Sequence, residues 1–399
     1  MIIEEICKRF SAGKSIKSEK ISGTGAYPVY GGNGLRGYTE TYNFDGECAI
    51  IGRQGAYCGN VRYYSGKAFI TEHAIIAEPK DDFDACYLAN KLMLMNLSQF
   101  QGQSAQPGLS AKTLSQIDLD MPDKDKQRKI GNLLRDIDKK IKLNESINDN
   151  LQHQLKLLYD YWFTQFDFPD ENGKPYRTSG GAMVWNEQLK RDIPSDWQVK
   201  AIGDLITSDR GISYSTKTIS DKGTPMVNLA SFTPIGEYKP EGIKYYTGEY
   251  SSEKILSPFD LVMCNTQQTA IDYKKDIIGR SLLIPDIYDG DIVSSHHVTQ
   301  IKPYNKLLKC YLHYLFNTDY FHKYIASHTN GTNILGLLFY GVEEFCIPIP
   351  DDDTLRKFDT LVINSEKIKS TILKENQDLL SLRDWLLPML MNGQATISD

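Results

Sequence analysis

Ile117–Arg128 reads IDLDMPDKDKQR and Phe345–Arg356 reads FCIPIPDDDTLR; a single displacement of 228 positions lays one on the other, Pro122 on Pro350 and Arg128 on Arg356. The same displacement carries Ile130 onto Phe358, Asn148 onto Asn376, Leu151 onto Leu379 and Leu158 onto Leu386. A repeat sustained this far means that the chain holds one structural plan twice.

Both copies read as long helices. From Ile130 the positions 134, 137, 141, 144, 148, 151, 155, 158 and 162 hold Leu, Ile, Ile, Asn, Asn, Leu, Leu, Leu and Trp, an alternation of four and three that makes a heptad seam with two polar places at its centre. In the second copy Phe358, Leu361, Ile368, Ile372, Leu379, Leu382 and Leu386 are expected on a comparable stripe. Pro122-Asp123 and Pro350 to Asp353 supply helix starts, since aspartate both caps an N-terminus and suits its dipole. Pro388 is expected to end the second helix. Each helix has the other as a candidate partner, with Asn144, Asn148 and Asn376 near the middle, where buried asparagine fixes register at a cost in stability. A helix of thirty-six residues is about 54 Å long, enough to separate two globular units by more than a turn of DNA.

The regions between the helices lack helical periodicity. Short apolar runs recur in Glu47–Gly52 (ECAIIG), Asn60–Tyr64 (NVRYY), His73–Ala77 (HAIIA), Asp260–Cys264 (DLVMC) and Val298–Ile301 (VTQI). Helix-like stretches follow at Ala85–Gln99 and Leu307–Ala326. The openings echo one another, Glu4–Gly13 (EEICKRFSAG) and Gly203–Gly211 (GDLITSDRG). The reading is α+β, each region a twisted, mostly antiparallel sheet carrying helices, with an approximate twofold repeat overall. The boundaries are a first domain at 1–120, a long helix at 121–166, a turn-rich connector at 167–196, a second domain at 197–349 and a second long helix at 350–393.

Composition narrows the chemistry. The 399 residues carry a net charge of −6, against the basic excess usual in nucleic-acid binders. The acidic excess is densest in the helical segments, with 6 basic against 9 acidic residues in 346–399, while residues 1–115 hold 12 against 11. Seven scattered cysteines without a C-x-x-C pair, and an N-terminus bearing Glu4, Glu5, Lys8 and Arg9, point to reduced thiols in the cytoplasm rather than to zinc or secretion. No phosphate-loop motif occurs, Gly31-Gly32-Asn33-Gly34 opens no helix, and no Asn-Pro-Pro-Tyr or Asp-Pro-Pro-Tyr string is present. His296-His297 lacks partners at metal-ligand spacing.

Several strings together resemble the specificity subunit of type I restriction–modification enzymes: Pro28–Tyr38 (PVYGGNGLRGY), Ile51–Gly59 (IGRQGAYCG), Gly102–Leu114 (GQSAQPGLSAKTL), the run from Phe163 through FDFPDENGKPYRTSGGAMVW to Trp197, and Leu379–Gly393 (LLSLRDWLLPMLMNG). The resemblance covers essentially the whole chain. It implies two target recognition domains that each read one part of a split duplex DNA site, helices that fix the unread gap, and two docked methyltransferase subunits modifying adenine, joined by translocating restriction subunits. It further implies no active site and no cofactor on this chain, with S-adenosylmethionine and ATP/Mg on the partners. A scaffold or adaptor built on the coiled coil, without DNA readout, is the rival reading, and it suits the acidity.

Bases are read by side chains that match their edges, arginine to guanine and asparagine or glutamine to adenine. In the first domain this selects Asn33, Arg36, Arg53, Gln54, Tyr57, Gln103 and Gln106, with Arg53-Gln54 between Gly52 and Gly55 foremost; the alternative for Arg53 is a bond to loop carbonyls. In the second it selects Asn265, Gln267, Gln268, Lys274, Lys275, Arg280, His296, Asn330, Thr332 and Asn333. The second domain lacks the Gly-Gly-Asn-Gly loop, and its Gly331–Leu337 (GTNILGL) lacks the Gln-Pro of the first, so the two are expected to read different bases.

Overall fold

A computed structural model describes residues 1–55, 57–101, 108–268, 275–332 and 334–397. The chain forms two compact units, Met1–Leu143 with Asn376–Asp399, and Asn144–Glu375, so each unit takes part of both long helices.

In the first unit a six-stranded sheet runs Cys7–Ala12, Ala74–Pro79, Phe44–Gly52, Val61–Ile70, Tyr27–Gly31, Gly34–Thr39. All neighbours are antiparallel except Tyr27–Gly31 on Val61–Ile70, which is parallel with Val29 opposite Phe69. The apolar runs are explained by burial on both faces. Ala49, Ile51, Ile75 and Ala77 pack with Leu88, Ala89 and Leu92 of the helix Ala85–Leu94, while Cys48, Ile50, Ala74 and Ile76 pack with Phe44 and Ile70 on the other side. Strands covered on both faces lose the polar alternation of half-exposed ones.

The second unit repeats the plan. Ile206–Arg210, Val298–Pro303, Leu261–Cys264 and Ser281–Leu283 form an antiparallel sheet. Leu261 and Met263 face the helix Leu308–Phe316, and Val262 and Cys264 join the opposite cluster. Thr224–Val227 lies parallel to Val293–Ser294, as Tyr27–Gly31 lies on Val61–Ile70. The echo between the two openings has a steric cause: a Cβ on Gly13 would strike the carbonyl of Ile70, and one on Gly211 that of Ser294.

The long helices span Lys124–Tyr159 and Asp352–Met391. Asp123 accepts from the Lys126 amide at 2.9 Å, and Asp351 from that of Thr354 at 2.9 Å, as the capping argument requires. Pairing is antiparallel in each unit. In the first, Ile130 and Leu134 cluster with Leu387, Leu390 and Met391, and Arg383 Nη1 lies 3.3 Å from Asp138. In the second, Asn144 Nδ2 donates to Glu375 at 2.7 Å, Lys369 Nζ to Gln152 at 2.6 Å, and Tyr159 meets Phe358 with centroids 6.2 Å apart. Asn144 and Asn376 are buried.

Two expectations for the second helix are corrected. Leu361, Ile368 and Leu382 are exposed; the buried positions include Leu355, Phe358, Val362, Glu366, Ser370, Leu387 and Leu390. Counting apolar residues chose the wrong stripe because the true seam carries polar groups with specific partners, Lys369 on Gln152 and Ser370 Oγ accepting from the Asp286 amide at 3.1 Å. Pro388 lies inside the helix rather than at its end. The turn beyond it is held by burial of Leu390 and Met391 and by Asn392 N–H donating to the Pro388 carbonyl at 3.0 Å.

The connector's specific string is core. Phe168 stacks on Trp197 and Tyr176 with centroids 5.1 and 4.7 Å away, Phe163 meets Tyr311 and Phe358 at 4.8 and 4.9 Å, and the Asp167 carboxylate accepts from the amide and hydroxyl of Thr178. The seven cysteines are free thiols, six of them buried. No helix among the described residues is long and apolar enough to cross a membrane, and no group of three or more His, Cys, Asp or Glu among them could hold a metal.

Candidate nucleic-acid interface

Beside the first unit's sheet four segments converge: the hairpin turn 31–34, residues 52–55 with 57–60, the turn 71–73, and the segment around Leu109. They fit because their backbones nearly touch. A Cβ on Gly32 would lie 2.9 Å from the carbonyls of Gln54 and His73, and one on Gly52 would lie 2.6 Å from that of Tyr57. Gly34 sits at φ +98°, which the hairpin turn demands and side chains resist.

Arg53 is fixed through its backbone, its N–H donating to the His73 carbonyl at 2.9 Å and its carbonyl accepting from Leu109 N–H at 2.9 Å. Its Nε donates to the Leu109 carbonyl at 3.3 Å, so the loop-carbonyl alternative is realised by one nitrogen of the guanidinium. Gln54 is exposed beside it, with Oε1 at 2.9 Å from His73 Nδ1. Tyr57 is 53% exposed, and Asn33 and Arg36 are exposed on the hairpin. Arg62 packs its guanidinium against Gly34, with Cζ 5.9 Å from the centroid of the Tyr30 ring. Arg62 and His73 were not selected from the sequence, although both lie in strings read as strands; neither has a flanking glycine to mark it. Gln103 and Gln106 lie outside the described residues.

The second unit builds the same frame. Asn265 N–H donates to the His297 carbonyl at 2.9 Å, and its carbonyl accepts from Leu337 N–H at 2.9 Å. Arg53, His73 and Leu109 therefore correspond to Asn265, His297 and Leu337. The side chain at the shared place is used differently. Asn265 is 5% exposed and donates Nδ2 to Thr299 Oγ1 at 2.8 Å, so it braces the fold and is not available to a base. Arg280 is corrected likewise: it is 4% exposed, Nη1 donates to the Asn317 carbonyl at 2.8 Å, and burial pulls its pKa below the ordinary value.

The other second-domain candidates are more open. Asn330, Thr332 and Lys275 are exposed, and Gln267 is half-buried with Oε1 accepting from Ile277 N–H at 3.3 Å. His296 is half-buried against His297, ring centroids 3.8 Å apart, and lies 5.7 Å from Tyr214. Lys244 Nζ stands over the Tyr214 ring at 5.1 Å. The His297 pKa is lowered by burial first, then by His296 and Lys244, which favours a neutral ring. Tyr214 and Lys244 join the His296-His297 pair only in three dimensions. Lys274, Asn333 and the Gln268 side chain lie outside the described residues.

The type I restriction modification DNA specificity domain matches residues 1–153 and 194–375, both halves of the repeat. The chain is 40% identical over 112 residues to the type I restriction enzyme EcoprrI specificity subunit of Escherichia coli, a match covering 28% of each chain. It is 23% identical over 345 residues to the MjaIX specificity subunit of Methanocaldococcus jannaschii, covering 80% of this chain and 71% of that one. The crystal structure of the type I restriction-modification S subunit from M. genitalium shares the fold, with a TM-score of 0.63 at 16% identity over 98% of this chain and 95% of that one. A family match over most of the chain, on a fold that repeats one recognition frame twice, means that this chain belongs to the type I restriction–modification DNA specificity family.

Proposed function

We propose that the chain is the DNA-reading subunit of a type I restriction–modification complex. Each recognition domain contacts one part of a bipartite, asymmetric target, and the two paired helices set the length of the gap between. Methyltransferase subunits that modify adenine dock on the chain, and translocating restriction subunits join that core. The chain brings no active site; S-adenosylmethionine and ATP/Mg belong to the partners. The observation that carries this reading is the shared frame with unlike contents, Arg53-Gln54 in one domain and Asn265-Thr266 in the other. Two frames built alike and filled differently suit two unlike half-sites. The adaptor reading gives no reason for a specificity domain matched in both halves.

Phosphate contacts supply most of the affinity of DNA-binding proteins, and a chain of net charge −6 is poorly equipped to make them alone. A gel shift with the purified chain is expected to give weak binding, and added methyltransferase subunits are expected to restore tight, sequence-specific binding. Strong specific binding by the isolated chain refutes the dependence on partners. Methylation of DNA by the isolated chain supplied with S-adenosylmethionine refutes the absence of an active site.

A further inference from the structure

In the first domain the ring of His73 touches a proposed reading side chain, that of Gln54. Its backbone does the structural part, the N–H donating to Thr71 Oγ1 at 3.4 Å and the carbonyl accepting from Arg53. The ring is left for another task. It is 44% exposed, with Nδ1 at 2.9 Å from Gln54 Oε1 and Nε2 at 3.6 Å from Glu72.

A glutamine amide has an accepting oxygen and a donating nitrogen. A bidentate grip on adenine uses both at once, the oxygen on N6 and the nitrogen on N7. Where Nδ1 of His73 carries the proton, it takes one of the oxygen's two lone pairs and holds the amide, leaving both N–H donors of the nitrogen for the duplex. An amide NH2 suits the acceptors of guanine (O6 and N7) or thymine (O4), and it meets a like donor on cytosine and beside N7 on adenine.

We propose that His73 is a positioning residue for base readout: it fixes the Gln54 amide so that the duplex meets a donor, and so sets which base the first domain accepts there. The inference rests on the DNA-reading role proposed above. The second domain lacks the device. His297 holds the same backbone place, but its ring lies against His296, and the counterpart of Gln54 is Thr266, whose hydroxyl donates to Asn265 Oδ1 at 3.1 Å. The second half-site is therefore an internal control.

The test uses the complex assembled with its methyltransferase subunits and a duplex library in which every half-site base is varied, scored by adenine methylation. Gln54→Ala first marks the position this side chain reads, as the one that loses its preference. His73→Asn keeps an amide nitrogen where Nδ1 stands, whereas His73→Gln moves it to the place of Nε2. The wild-type complex is expected to prefer guanine or thymine at the marked position. His73→Gln is expected to flatten that preference about tenfold, the equivalent of roughly 1.4 kcal/mol, and His73→Asn to retain it, with second half-site preferences and thermal unfolding unchanged throughout. An adenine or cytosine preference in the wild type overturns the proposal, as does a His73→Gln complex with wild-type preference or a loss spread over both half-sites. A wild-type complex with no preference anywhere refutes the DNA-reading role, and the inference falls with it.

Discussion

At position 53 the guanidinium is held by Nε, and among the described residues its Nη groups have no protein partner; in the proposed reading role they would meet a guanine edge. Arg53→Ala is expected to weaken or relax recognition at one half-site by about 1–3 kcal/mol and to spare the other. Methylation of targets varied at each position checks this; equal loss at both halves means a folding defect instead. Arg280 shows how far the same residue type can differ in role, since burial and the Asn317 carbonyl make it a brace. His313 is a second buried brace, its Nδ1 at 3.1 Å from Ser281 Oγ, and burial, with Lys369 adding, pushes its pKa down to about 3. A histidine neutral in the fold but titrating normally when unfolded gives stability that is complete above the unfolded pKa of about 6.5 and falls as pH drops from there toward the folded value. Stability of the second unit is expected to fall by about 1.4 kcal/mol per pH unit across that window from this group. Denaturant unfolding of wild type and His313→Gln against pH reads it; the variant's slope should be shallower, and equal slopes defeat the assignment.

Among the elements, strands and helices were legible for different reasons. The repeated offset and the heptad seam located both helices, and their aspartate caps formed as the spacing implied. The face of the second helix was not legible, because Glu366, Lys369 and Ser370 occupy the seam and hydropathy does not register partners. Nor was the passage of that helix through Pro388, whose ring removes a backbone bond while the side chains of the next turn remain buried. Pro388→Ala is expected to raise the stability of the first unit by up to about 3 kcal/mol. Urea unfolding measures it; an unchanged or lower midpoint would mean that the turn depends on the proline. In the same unit Asp84 caps the helix Ala85–Leu94 through Tyr87 N–H at 2.9 Å and takes Arg135 Nη2 at 2.8 Å, so one carboxylate ties a domain helix to the long one.

For the molecule as a whole, the proposed gap between half-sites follows the length of both helices together. Inserting one heptad into each, at matched places so that the seam stays in phase, lengthens the pair by about 10 Å, or roughly three base pairs. The expected outcome is a methylated target with the same two half-sites and a gap longer by about that amount, read by methylome sequencing of a host carrying the altered complex. An unchanged gap would defeat the role given to the helices. A heptad inserted in one helix alone is expected to disrupt assembly, since the antiparallel pairs Arg383–Asp138 and Lys369–Gln152 would lose register.

The order of residues alone determined that this chain is a repeat of sheet domain and long helix, because periodicity and offset are linear properties that burial imposes on sequence. It also determined that the two domains differ among their candidate readers, since the second lacks the Gly-Gly-Asn-Gly loop and the Gln-Pro of the first. Only the tertiary structure decided what those residues do. Arg53 and Asn265 share one backbone place, yet one engages a loop carbonyl through Nε alone and the other spends its amide on Thr299. His73 reaches Gln54 across 19 residues. Hydrogen bonding and exposure are set by neighbours distant in the chain, and no local pattern encodes them.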